Sequence, residues 1–138
     1  MLPDRVAQLL PRLTPESSTI FDDLRALYAD DLRFRDPIQE LQGIDAFIDM
    51  NGRLLGRMQT LAWDIHGAIG DDAYAIVEWT MRGKPKLGPS IAVDGATRVR
   101  ARGGRIIDHR DYWDLSELAA SSVSFGERMR RTLLRPLA

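Results

Sequence analysis

The spacing of apolar residues changes period near the middle of the chain, and that switch limits the fold more than any single motif. Up to Met58 they recur every three or four positions: Val6, Leu9, Leu10 and Leu13, then Ile20, Phe21, Leu24, Leu27 and Tyr28, then Ile44, Phe47, Ile48, Leu54, Leu55 and Met58. Such stripes predict amphipathic helices. Thr14 followed by Pro15 reads as an N-cap and first helical residue for the second of them. Between the helices, Leu32-Arg33-Phe34-Arg35-Asp36 alternates with period two and stops at Pro37. From Leu61 to Asp114 the pattern is that of strands, and after Leu115 it turns helical again. Leu61, Trp63 and Ile65 alternate with polar neighbours up to a turn at Gly70-Asp71-Asp72. Tyr74 to Met81 reads as a strand ending at Gly83-Lys84-Pro85-Lys86. Ser90 to Ala101 and Arg105 to Asp114 read as two more, joined by a hairpin at Gly103-Gly104. Helices followed by hairpin-linked strands predict an α+β fold: a curved, mostly antiparallel sheet wrapped around the N-terminal helices, leaving a cone-shaped pocket.

Composition narrows the function. The 138 residues suit one domain, 1–138, with 116–138 as a C-terminal helical extension. Without cysteine there is no disulfide framework, thiolate zinc site or cysteine nucleophile. With only His66 and His109 available, no metal site is expected. Gly103-Gly104 is a hairpin turn rather than a phosphate loop, so no cofactor is expected either. A net charge of −1 argues against a nucleic-acid surface. No apolar run reaches the length of a membrane span. The start MLPDRVAQLLPRL lacks the basic flank and unbroken apolar stretch of a signal peptide, so a cytoplasmic location is expected.

Leu27-Tyr28-Ala29-Asp30-Asp31, then Phe34-Arg35-Asp36-Pro37, then Gly43 before a helix, resembles the opening of the nuclear transport factor 2-like superfamily. Gly104-Arg105-Ile106-Ile107-Asp108-His109-Arg110-Asp111-Tyr112-Trp113-Asp114 is similar to the last strand of its SnoaL-like domains. The resemblance spans about Ile20 to Leu118. That group includes SnoaL-like polyketide cyclases, ketosteroid isomerases and limonene epoxide hydrolases. It implies a curved sheet, a cone-shaped cavity and a homodimer, without implying one activity.

Three residues are candidates for chemistry. Alternation places Asp36 on the face of Leu32 and Phe34. A carboxylate carried into apolar surroundings loses hydration and holds its proton more tightly, which is how a general base is tuned. The resemblance puts the base of ketosteroid isomerases at this position. The alternative is a strand-end Asp accepting backbone hydrogen bonds in a turn. His109 and Asp111 share a face two residues apart, together with Ile107 and Trp113. They form either an acid–base pair or a structural histidine with its partner. By resemblance, Asp111 stands where epoxide hydrolases and some SnoaL-like cyclases carry a catalytic acid.

The departures from those families are definite. No tyrosine precedes Tyr28, and the isomerase's later acid aligns with Ala96, two residues from Asp94. The Arg and Asp of epoxide hydrolases align with Val77 and Trp79.

Phe34, Trp63, Val77, Trp79, Met81 and Trp113 are the expected pocket lining, suited to a small hydrophobic molecule. The tail carries Leu118, Phe125, Met129, Leu133, Leu134 and Leu137 among Arg128, Arg130, Arg131 and Arg135. It is expected to cap a dimer or close the cone rather than lie on a membrane. The leading expectation is a SnoaL-like small-molecule enzyme working by proton abstraction, isomerisation or cyclisation. The alternative is a non-catalytic ligand-binding or dimerisation domain.

Overall fold

The computed structural model describes residues 1–122. Helix α1 (Leu2–Leu9) runs into a 3-10 turn (Leu10–Arg12), followed by α2 (Ile20–Leu27), β1 (Tyr28–Arg35), β2 (Glu40–Gln42) and α3 (Ile44–Arg57). Then come β3 (Met58–Gly70), β4 (Tyr74–Pro85), β5 (Ile91–Arg102), β6 (Arg105–Trp113) and α4 (Leu115–Ser122). The last helix begins the expected C-terminal extension; its arginine-rich part lies outside the described residues. No helix among the described residues is long and apolar enough to cross a membrane.

The six strands form one curved sheet in the order β2-β1-β6-β5-β4-β3. Every neighbouring pair is antiparallel except β1 and β6, which run parallel. That pair seats the first strand beside the last, so the N-terminal helices fall across the sheet's inner face. Leu32, Phe34, Ala75, Val77, Trp79, Val93 and Val99 are buried on that face. Opposite it lie buried residues from the helices and the turn after α1, among them Val6, Leu9, Leu10, Leu13, Ile20, Leu24 and Phe47. The expected α+β architecture is the observed one.

Four local features differ from expectation. Thr14-Pro15 starts a turn, in which the Ser17 N–H donates to the Thr14 carbonyl. Helix α2 begins only after Thr19, whose carbonyl accepts the Asp23 N–H. The intervening Ser17-Ser18-Thr19 run favours local side-chain bonding and delays the helix. Tyr28 is the first residue of β1 rather than the last of a helix. Strand β4 continues through Gly83 to Pro85 because β3 pairs with it that far. In β6, Ala101 pairs with Ile106 and Arg100 with Asp108. Ile107 is thus the extra residue of a bulge: Ile106 turns fully inward in its place, while His109 beyond it stays buried. The hairpin between β5 and β6 forms as expected, Gly103 and Gly104 taking φ of 59° and 80°.

Candidate functional site

Between the inner sheet face and helices α1 to α3 lies a cavity of about 250 Å³. A row of buried polar side chains from four strands reaches its wall. The Trp79 Nε1–H on β4 donates to Thr97 Oγ1 on β5 at 2.9 Å. Thr97 in turn donates to Asp111 Oδ1 on β6 at 2.6 Å. The same oxygen lies 2.7 Å from His109 Nε2, and His109 Nδ1 lies 2.8 Å from Tyr28 Oη on β1.

Strand register explains why these groups meet. Thr97 pairs directly with Asp111, and Phe34 with His109. Trp79 pairs with Gly95, where a Cβ would overlap the indole ring. Glycine at that position lets the ring lie across β5 and reach Thr97.

The donors can be assigned from their partners. Trp79 only donates, so Thr97 accepts from it and turns its own hydrogen to Asp111. The phenol of Tyr28 is buried and, among the described residues, bonds only to His109. Burial, with the charge of Asp111 second, pushes that phenol well above its ordinary range, so it keeps its proton. It therefore donates to Nδ1, and His109 is the Nε2–H tautomer that donates to Asp111. Oδ1 of Asp111 collects two hydrogen bonds. Oδ2 accepts none from the described residues.

Aromatic rings hold the imidazole in place. Its centroid is 5.0 Å from Phe34, 5.6 Å from Phe47 and 5.7 Å from Tyr28. On the other wall Trp63 meets Trp79 edge-on at 5.1 Å, and its Nε1–H donates to the Leu13 carbonyl.

Of the residues singled out in the sequence, Asp36, His109, Asp111, Phe34, Trp63, Trp79, Met81 and Trp113 all line this cavity. Val77 does not: it points to the inner side but is packed completely beneath the cavity wall. Asp36 sits just past the end of β1. Its Oδ1 accepts from the Ile38 and Gln39 N–H groups, and its Oδ2 from the Gln39 side chain. That is the turn arrangement, on the cavity's edge. Asp94 lies on the sheet's other face, bonded to Thr80, which also meets His66. Among the described residues no cluster of His, Asp and Glu could hold a metal ion.

A family model, described as the SnoaL-like domain, matches residues 17–109. The chain belongs to the SnoaL-like family. No match was found among curated proteins. Solved structures share the fold of this SnoaL-like domain. One is a protein from Catenulispora acidiphila with a ketosteroid isomerase-like fold, in complex with trimethylamine. It is 25% identical with a TM-score of 0.74, over 87% of this chain and 92% of that one. Another, from Jannaschia, is named for SnoaL-like polyketide cyclases: 18% identity, TM-score 0.75, 86% and 89% covered. A third, from M. tuberculosis, is described as an LEH-like epoxide hydrolase: 20% identity, TM-score 0.72, 98% and 94% covered.

Sequence reasoning missed Tyr28 and Thr97. Tyr28 gave no parity signal: the alternation of β1 breaks at the exposed Asp30 and Asp31, and the register with β6 shifts between Tyr28 and Arg33. Thr97 is the polar member of the buried set Val93, Thr97 and Val99, which an alternation count on β5 exposes.

Proposed function

We propose that this SnoaL-like domain is a small-molecule enzyme that moves a proton on an apolar substrate, with Asp111 as the group that takes and returns it. The observation that carries this reading is the hydrogen-bonded row Tyr28–His109–Asp111–Thr97–Trp79, which centres on a half-buried carboxylate at a mostly apolar cavity, one of whose oxygens accepts no hydrogen bond from the described residues. A base must be fixed in position and able to reach its proton. Thr97 and His109 hold one oxygen of Asp111 and leave the other free. His109, with both ring nitrogens engaged, is a positioning residue. Asp36 adds a second negative charge at the rim, its carboxylate occupied by the turn.

Solvent exchange tests this. The full-length protein is incubated in D2O with apolar ketones, β-dicarbonyl compounds and iminium salts, and deuterium at carbon is read by proton NMR. The expected result is exchange above the buffer rate that Asp111→Asn abolishes and Asp36→Asn retains. Absence of exchange in every compound that binds would leave a ligand-binding domain instead. The homodimer implied by family resemblance belongs to this proposal. The sheet's outer face presents Tyr112, 45% exposed, on the side that also carries Tyr74 and Ile76. Light scattering of the purified protein checks the mass, and a monomer refutes the dimer.

A further inference from the structure

We propose that the cavity takes a lipophilic organic cation, an ammonium or iminium compound with an apolar body. The chain has 19 lysines and arginines. None is among the described residues lining the cavity, whereas two carboxylates, Asp36 and Asp111, are. With His109 donating as the neutral Nε2–H tautomer, no positive side chain among those residues offsets them.

A carboxylate facing an apolar space is costly unless something pairs with it. Within the row the pairing is one-sided. Thr97 and His109 both donate to Oδ1 of Asp111, and Oδ2 is left without a donor. Tyr28 and Trp79 have spent their hydrogens on His109 and Thr97. The row thus offers a ligand one acceptor and one negative charge, and no donor. At Asp111 a carbonyl or carboxylate ligand would set acceptor against acceptor, while an N–H or N-alkyl cation complements it.

The walls agree. Trp63, Trp79, Trp113, Phe34 and Phe47 bring aromatic rings to the cavity, and a ring face attracts a cation most strongly where water is excluded.

For the proton-transfer function, on which this step alone rests, the charge also selects the substrate. When Asp111 removes a proton from the carbon next to an iminium, the C–H pair becomes the new C=C bond. The C=N π pair retires onto nitrogen. A cation and a carboxylate become a neutral enamine and a neutral carboxylic acid, a change that low-dielectric surroundings favour. A neutral ketone would instead leave an enolate with no donor from the row to support it.

The test uses the chain's own fluorescence, since all three tryptophans line the cavity. The full-length protein is titrated with benzyltrimethylammonium, with its uncharged carbon isostere neopentylbenzene, and with phenylacetate. The cation is expected to bind about tenfold tighter than the isostere, the difference that a desolvated cation–π and ion contact supplies. Phenylacetate is expected not to bind. Asp111→Asn should lower the cation-to-isostere ratio several-fold, leaving only the cation–π part, while the isostere still binds. The ratio in the unmodified protein decides the matter even if that variant folds poorly. Equal or weaker binding of the cation overturns the proposal, as does a ratio that survives both Asp111→Asn and Asp36→Asn. Cation selectivity without deuterium exchange refutes only the proton-transfer reading. Exchange on neutral ketones without cation selectivity refutes only this one.

Discussion

Replacing Thr97 by valine isolates the hydroxyl that joins Trp79 to Asp111. The side chain is 1% exposed and valine has nearly its shape, so packing changes little. Two interactions are lost. The Trp79 N–H, on a residue 3% exposed, is left without a partner, which costs about 1–3 kcal/mol. Asp111 loses one donor, and a hydrogen bond to a charged group contributes about 1.5–3 kcal/mol. The second figure takes its lower end, because His109 remains and the Asp111 side chain is 21% exposed, so water can approach. Against these stands the gain from burying a methyl in place of a hydroxyl, about 1 kcal/mol. The net expectation is a destabilisation of about 2–3 kcal/mol. Urea unfolding should show it as a lower midpoint at unchanged slope. A double-mutant cycle with Trp79→Phe sharpens the test. Phenylalanine has no N–H to strand, so Thr97→Val should cost about 1 kcal/mol less in that background. A single-variant change below about 0.5 kcal/mol, or strict additivity of the two, would refute the argument, since neighbours in one hydrogen-bonded network couple by about that much or more.

Three further outcomes are expected. Gly95→Ala should drive the Trp79 ring off β5, costing about 1–3 kcal/mol as overpacking does, with a changed near-UV circular dichroism spectrum; an unaltered spectrum would contradict the close approach. Because burial raises the Tyr28 phenol above its ordinary value of 10.0, its contribution is whole below pH 10 and is lost as pH rises further, at about 1.4 kcal/mol per pH unit. Urea midpoints across alkaline pH should therefore fall less steeply for Tyr28→Phe; parallel curves would refute this. Asp36→Asn should cost about 1 kcal/mol or less, since an amide oxygen still accepts the Ile38 and Gln39 N–H groups; a loss above about 3 kcal/mol in urea unfolding would mean that the carboxylate does more than hold the turn.

The fold was legible because period follows burial. Alternation marked the longer strands, and the parity that grouped Leu32, Phe34 and Asp36 also put the first two in the core. What stayed hidden depends on partners distant in sequence. Nothing in the sequence around Tyr28 announces that it bonds a histidine 81 residues away. Helix and strand periods both fit its neighbours, and the three-residue β2 is too short to carry a pattern. The bulge at Ile107 was equally invisible, since β5 rather than β6 sets the count there. Val77 shows the limit of parity. It predicts the inner side of a curved sheet, but whether that position meets the cavity or lies under packed side chains depends on where the helices end.

Position along the hydrogen-bonded row, rather than residue type, picks out Asp111. Asp36 is also a carboxylate on the same cavity, yet both of its oxygens are drawn to groups within three residues of it in sequence. The partners of Asp111 come instead from β5 and from its own strand two residues back, both on one oxygen. The imidazole that holds it is itself fixed from β1 by a phenol that keeps its proton. Val77 and Trp79 stand where the epoxide hydrolase resemblance would place an Arg and an Asp. In this chain one of them is core, and the other spends its N–H on Thr97. What the row retains is one carboxylate oxygen that accepts no hydrogen bond from the described residues, so chemistry at Asp111 has to start with the proton or the positive charge that this oxygen can attract.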